Sequence, residues 1–539
     1  MNKRITALCI FLFCTLPMVF AQNSSHYDNA VENFTWETVD NGVKITDYNG
    51  DETTIKIPAQ IDGMEVSEIG DKAFYRNDTA KVIILPDTVK AIGDRAFFRN
   101  TSLKKISISK SVLTIGDYAF TGCISLNNVI IGEAVEEIGS YAFAQCTSLE
   151  SIKIPASVTN MKNLPFLSCT SLESIKVSEA NPNYNSVGGV LFSADKKTLL
   201  GYPLGKDIKK YTIPNFVEEI GIYAFFESSL EKVKIGKSVN QLGSYSFARS
   251  SSLEEINLPD SMVQIGRDTF QNCTSLTEID IPNSVTEIGV NAFYKCSSIE
   301  NVDLSESITE IGSSTFEGCS SIKTITIPDS VTDIGNGAFK NCLALRNVEL
   351  GESVTEIGHL AFENCTSLEN IEMPDSISQV GVKSFSGCSS IESVVISESV
   401  SDIMDNAFYG CDSLKEITIP DSVIHIGRWA FAECTGLESV VLGDSVAEVE
   451  QRAFENCISI ESINIPNSIS KLGNKLFRGC TSLTDVTIRA KTPPEISEYT
   501  VFKSTHPDLV IHVPASAVDE YKSYGLWNYY SDNIKAISN

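Results

Sequence analysis

The stretch Leu276-Thr-Glu-Ile279-Asp-Ile281-Pro282-Asn-Ser284-Val285-Thr-Glu-Ile288-Gly289-Val-Asn-Ala292-Phe293-Tyr-Lys-Cys296 decides the fold, because the chain keeps returning to it. Phe-x-x-Cys recurs ten times between Phe270 and Cys480 at a fixed step of 23 residues. One fixed period on the order of 20 to 50 residues marks a solenoid, in which each unit buries its apolar face only against its neighbours. Within the unit, Ile279-Asp280-Ile281 alternates strictly, so it reads as a short strand with both isoleucines inward and Asp280 outward. Pro282 ends that strand because it cannot donate the next ladder hydrogen bond. Val285 and Ile288 head a second extended piece that turns at Gly289. Ala292, Phe293 and Cys296, three and four apart, predict one turn of helix packed inward.

Working outward, the Phe register reaches back to Phe74, through Phe97, Phe120, Phe143 and Phe166, and 17 Phe positions follow it as far as Phe477. A globular chain of 539 residues would divide into several closed cores, but a repeat array extends one core along an axis. Residues 1–21 read as a secretory signal: Lys3 and Arg4, then an apolar run from Leu8 to Phe20, then Ala21 at the cleavage position. That run, with Pro17 inside it, is too short for a membrane span. Lys and Arg total 42 against 69 Asp and Glu, a net charge of −27; removing Lys3 and Arg4 leaves 40 against 69, or −29. Such a field repels nucleic acid and anionic lipid, and it argues for a monomer. Of 15 cysteines two lie in the signal, and the other 13 each follow a repeat Phe by three residues. That placement predicts a ladder of buried thiols acting as small hydrophobes, not a disulfide framework.

The array is bounded and interrupted. Residues 22–65 carry hairpin signals around Asp40-Asn41-Gly42 and Asn49-Gly50 and predict an N-terminal β cap. A first block of repeats spans 66–178 and a second 214–488. Between them Phe225 follows Phe166 by 59 residues, and 179–213 reads as an insertion whose apolar runs around Asp195-Lys196-Lys197 predict a hairpin projecting from the solenoid. Residues 489–539 form a C-terminal cap, with Trp527, Tyr529 and Tyr530 sealing the last repeat.

The pattern L-x-x-I-x-I-P-x-S-V-T-x-I-G-x-x-A-F-x-x-C resembles the 23-residue leucine-rich repeat of the BspA-like, or Treponema pallidum-type, surface proteins, over about four-fifths of the chain. Ser284 stands where most leucine-rich repeat classes carry Asn, a departure that belongs to this class. The resemblance implies a β-rich α/β solenoid with caps at both ends. It also implies an exported protein, secreted, on the cell surface or in a periplasm, that adheres to host matrix proteins or other cells. A second reading is a structural or organising component of the envelope with no host ligand.

Nothing in the chain resembles a reaction centre. The five histidines are scattered, no Ser or Cys has a base at a recognisable spacing, and His506-x-Asp508 with His512 lacks the spacing of a metal site. The reading is therefore of a protein that is not an enzyme and holds no cofactor or metal. The informative residues are the outward ones on the repeated strand, which stacking sets side by side. They are basic early, at Lys105, Lys153, Lys176, Lys232 and Lys234; acidic at Asp280, Asp303, Glu349 and Glu372; and apolar at Val395 and Val441. This banded face is the expected contact surface for a protein partner, an extracellular matrix or surface protein.

Overall fold

The computed structural model describes residues 31–537, so the signal segment lies outside the described residues. Each coil contributes two strands to two parallel ladders. In the first ladder strands such as Glu278–Asp280 pair in register with Asn301–Asp303, and in the second Gln264–Ile265 pairs in the same way with Glu287–Ile288 and Glu310–Ile311 with Asp333–Ile334. The exposed-buried-exposed alternation of the first ladder puts Ile279 and Ile325 inside and Asp280 and Thr326 outside.

The segment expected to be one turn of helix is instead a pair of tight turns. Asn291 (φ 58°) and Lys295 (φ 59°) adopt the left-handed region, and the same two positions of neighbouring coils do likewise, at Asp268 and Asn272 for example. Spacings of three and four residues bring Ala292, Phe293 and Cys296 inward in either geometry, so the pattern alone does not separate them. The turns win because they align backbone groups along the solenoid axis: Phe270 N–H donates to Ala292 O at 2.7 Å and Asn272 N–H to Tyr294 O at 2.8 Å. Each left-handed non-Gly residue costs about 1–2 kcal/mol, which the hydrogen bonds of this third ladder offset. Gly289 is required for closeness: a Cβ there would meet the backbone nitrogen of Arg267 at 2.5 Å.

The core is one column of rings. Phe339 and Phe362 stack with centroids 5.3 Å apart and planes 5° apart, and like pairs run without a gap from Phe225 to Phe502 and from Tyr48 to Phe166. Beside it runs the cysteine ladder, 13 free and buried thiols. Each Sγ donates to the Phe carbonyl of the preceding coil, as Cys365 does to Phe339 O at 3.2 Å. Where Cys is replaced the bond persists: Asn100 Nδ2 donates to Phe74 O at 2.9 Å and Ser250 Oγ to Phe225 O at 2.9 Å. Burial pushes the Cys123, Cys169 and Cys296 thiols up to about 12, so these three offer no thiolate at neutral pH. The coil from Phe225 to Phe247 is one residue short, because Ser228-Ser229-Leu230 stands in for Cys-x-x-Leu.

At the N-terminus Phe34–Val39 and Gly42–Tyr48 form an antiparallel hairpin, and the second of these strands pairs in parallel with Met64–Ile69. Thr54–Lys56 does not join that hairpin; it pairs in parallel with Val82–Ile84 and so starts the first ladder. At the other end Trp527 is fully buried and donates Nε1–H to Pro494 O at 2.8 Å, while the Tyr521 and Tyr530 hydroxyls donate to Ala490 O and Tyr499 O. Tyr529 lies at the outside of this seal: it is 66% exposed and packs against Tyr499 and edge-on to Tyr530.

The insertion behaves differently from expectation. Val190–Ser193 and Thr198–Gly201 form the antiparallel hairpin around Asp195, but it does not project. Thr198–Gly201 pairs in parallel with Glu219–Ile220, and Phe192 and Leu199 are fully buried, so the hairpin is stitched into the second ladder. Phe192 and Leu199 are apolar enough that leaving them in solvent would cost about 1.5–3 kcal/mol each.

Candidate interaction surface

The outward row of the first ladder is an unpartnered sheet face, because a parallel register repeats each position directly above the last. Lys153 stands next to Lys176, Asp280 next to Asp303, Glu372 next to Val395 and Thr418 next to Val441. Lys105, Lys153, Lys176, Lys234, Asp280, Asp303, Glu349 and Glu372 are exposed and Lys232 is half-buried. Val395 and Val441 are 55% and 54% exposed, high values for β-branched residues on strands.

The basic zone is not one patch. Lys105 lies two strands from Lys153, with the Ile130 strand between. Between Lys176 and Lys234 the hairpin tip intrudes: Ile175 N–H donates to Gly189 O at 2.9 Å, and Lys206 Nζ donates to Gly188 O at 3.0 Å. Lys153 pairs with Glu133 at 3.7 Å, and Lys232 pairs with Glu255, whose carboxyl that lysine's hydrogen bond holds below its ordinary value. Among the described residues Lys105, Lys176 and Lys234 carry no ion pair, so of this row they keep the most charge available to a partner. Sequence reading missed Lys210, which pairs in register with Lys232. Tyr211-Thr-Ile213-Pro214 carries the I-x-I-P signature in altered form and would have placed it.

The acidic zone is deeper than one row. Asp303 and Glu306 line a groove of about 290 Å³, and Glu349, Glu352, Glu372 and Asp375 line one of about 530 Å³. Glu306, Glu352 and Asp375 follow the strand-ending Pro or its substitute, a position for which the sequence reading offered no role. One member of that column is structural: Asp329 Oδ1 accepts the Glu352 N–H at 2.9 Å. The histidines do not converge. His512 Nε2 lies 3.4 Å from Asp485, and His506 Nδ1 accepts the Asp508 N–H at 3.2 Å.

A stack of short parallel strands, one per 23-residue coil around a shared apolar core, defines a leucine-rich repeat solenoid. The chain belongs to the BspA-type leucine-rich repeat family: the model for the BspA type leucine rich repeat region (6 copies) matches residues 67–197, 204–323, 309–423 and 401–522. Similar solved structures include a leucine-rich repeat protein from Bacteroides ovatus, 23% identical over 90% of this chain and 100% of that one, with a TM-score of 0.40. A leucine rich cell surface protein from Faecalibacterium prausnitzii is 25% identical over 78% of this chain and 95% of that one, TM-score 0.39. The leucine-rich repeat protein of T. pallidum is 22% identical over 51% of this chain and 91% of that one, TM-score 0.28. The comparison with curated proteins gives no match. No helix among the described residues is long and apolar enough to cross a membrane.

Proposed function

We propose that this is an exported, surface-displayed adhesion protein that holds a protein partner on the outward face of its first ladder. The observation that carries the reading is the in-register row itself: it offers many weak contacts over a long rigid surface, and its charge changes sign along its length. A rigid face loses no backbone entropy on binding, and banded charge fixes the orientation of the partner as well as its rate of encounter. Lys176 and Lys234, free of ion pairs, supply the attraction for an acidic region of the partner, and Val395 and Val441 supply apolar contact farther along. Membership of a family with cell-surface relatives supports the location. An envelope component without a ligand would make no use of exposed valines on a flat strand face.

The test is binding of the mature chain to immobilised extracellular matrix proteins at low and high salt. The triple reversal Lys153→Glu, Lys176→Glu and Lys234→Glu is expected to slow association and flatten the salt dependence. Binding that is unchanged in that variant rules the face out, and failure of an antibody against the mature chain to reach it on intact cells rules out surface display.

A further inference from the structure

Among the described residues the ring column of the solenoid has one seam. The ring column ends on one side at Phe166 and resumes at Tyr202, which occupies the Phe position and stacks on Phe225 with centroids 5.0 Å apart. Among the described residues no ring contact joins Phe166 to Tyr202. The apolar core divides at the same place into two clusters, one ending at Leu191 and the other beginning at Val190. The second ladder divides too, since Asn160–Met161 pairs only with Glu137–Ile138 and the hairpin's strands start a new sheet. Phe166 is consequently only half-buried, whereas Phe143 and Phe225 are fully buried.

Two connected spaces remain in the seam. An inner cavity of about 70 Å³ is lined by Phe166, Leu172, Tyr202 and Phe226, and an outer cleft of about 560 Å³ by Tyr141, Tyr184, Ile222 and Tyr223. Leu164, Leu191 and Leu200 line both. Tyr202, only 6% exposed, lines the inner cavity, and its buried hydroxyl has no hydrogen-bond partner. A buried hydroxyl left unpaired has lost its hydrogen bonds to water without gaining another. At the mouth two tyrosine stacks stop short of each other: Tyr118 on Tyr141 at 5.1 Å from one side, Tyr245 on Tyr223 at 4.7 Å from the other. Ile222, beside them, is 59% exposed.

The rim tells what kind of ligand fits. Lys162 Nζ is 2.7 Å from Glu137, and Glu219 accepts a hydrogen bond from Thr198 at 3.3 Å. The Tyr184 hydroxyl accepts the Met161 N–H at 2.8 Å. Lys162, the one cation among the lining residues, is thus neutralised within the protein, and an anionic ligand would find no free counter-ion there, while the Glu219 carboxylate holds only the Thr198 hydroxyl. A neutral aromatic ring matches the aromatic walls, and one polar atom at its far end matches the Tyr202 hydroxyl. We propose that the seam is a recognition pocket for a tyrosine side chain of a protein partner, its ring held between Tyr141 and Tyr223 and its hydroxyl exchanging a hydrogen bond with Tyr202. The site is separate from the strand face and takes from the adhesive reading only that the ligand is carried by a protein. Phenylalanine would leave Tyr202 unpaired, and aliphatic side chains would forgo stacking.

The probes are N-acetyltyrosinamide, N-acetylphenylalaninamide and N-acetylleucinamide, titrated against the full mature chain by saturation-transfer NMR. The tyrosine probe is expected to bind about fivefold more tightly than the phenylalanine probe, the worth of one neutral hydrogen bond, with the leucine probe weakest. Tyr202→Phe is expected to abolish that margin while leaving the phenylalanine probe unaffected. Ile222→Glu, at an exposed position that the fold does not depend on, is expected to weaken both aromatic probes with an unchanged melting temperature. Lys176→Glu with Lys234→Glu is expected to leave all three probes unaffected, so failure of the strand-face reading and failure of this one are distinct results. Equal binding of the tyrosine and phenylalanine probes, a tyrosine preference that survives Tyr202→Phe, or no binding at millimolar concentration overturns the proposal.

Discussion

The coils from Phe270 to Cys480 and the seam between Phe166 and Tyr202 use the same residue types to opposite ends. In the regular block each buried thiol and the backbone of the tight turns meet their counterpart in a neighbouring coil, and the buried polar side-chain atoms left without a partner are chiefly the hydroxyls of Ser284, Ser330, Ser384 and Ser422. Cys342 Sγ donates to Phe316 O at 3.2 Å, and Asp329 caps the Glu352 amide. At the seam the next coil is displaced by a hairpin, and a ring, a hydroxyl and a strand edge lose the partner that periodicity would have supplied. Translation supplies the stacking, thiol and backbone partners of a solenoid's interior, so an interruption of the translation is where those partners go missing together. The strand face shows the same rule at lower depth, since Lys176 and Lys234 flank the intruding hairpin tip.

The largest expected effect tests this contrast in the core. Phe362→Ala removes a ring stacked on both sides and should cost about 3–5 kcal/mol of stability, read from denaturant midpoints. Phe166→Ala, stacked on one side and half-buried, should cost clearly less. Equal losses would mean that the seam is packed as tightly as the array. Next comes Gly335→Ala: a Cβ there would meet the Ser313 backbone nitrogen at 2.6 Å, and forcing the coils apart should cost about 1–3 kcal/mol. A comparable change at Gly201, where the nearest atom to a Cβ is Leu191 Cβ at 3.9 Å, should be nearly neutral.

The cysteine ladder gives a smaller and more specific effect. Cys365→Ala strips the donor from Phe339 O and leaves a small void, whereas Cys365→Ser keeps the donor, as Ser250 does in its own coil. The alanine variant should therefore lose more stability than the serine variant, by about 1 kcal/mol. The reverse order would show that the thiols act through size alone. Because all 13 thiols are buried, a disulfide-exchange reagent should not reach them until the chain unfolds.

How far the sequence could be read follows from the same contrast. The array was legible because its signal is local and repeated: each Ile-x-Ile-Pro and each Ala-Phe-x-x-Cys states its own burial, and stacking adds nothing contradictory. The turn geometry was not, since the left-handed positions hold Asn291, Lys295, Leu360 or Trp429 without a common side chain. Their conformation comes from inter-coil hydrogen bonding, which no single unit displays. The outward placement of the strand residues was legible, but the division of the lysines at Lys176 was not, because it depends on where the hairpin tip lands. The seam had one unread clue: Tyr202 precedes Phe225 by 23 residues and so continues the Phe register through the insertion.

The smallest effect compares two ion pairs. In the regular block Lys471 Nζ donates to Glu450 at 2.7 Å, and that hydrogen bond holds the Glu450 carboxyl below its ordinary value against the opposing push of burial. At the seam Lys162 does the same to Glu137. A carboxyl whose folded pKa is depressed contributes stability above its unfolded pKa, and the contribution disappears as pH falls through the folded value. Glu450→Gln and Glu137→Gln should therefore each lose at most about 1 kcal/mol at neutral pH, and each deficit should shrink toward zero on acidification below the ordinary carboxylate range. Salt should separate the two pairs. The Glu450 side chain is 19% exposed and that of Glu137 33%, so the seam pair is the better screened and its deficit should fall faster with added salt. Matching salt dependence would show that the lip of the cleft is as dry as the flank of the array, and that the opening at the seam is shallower than its lining residues imply.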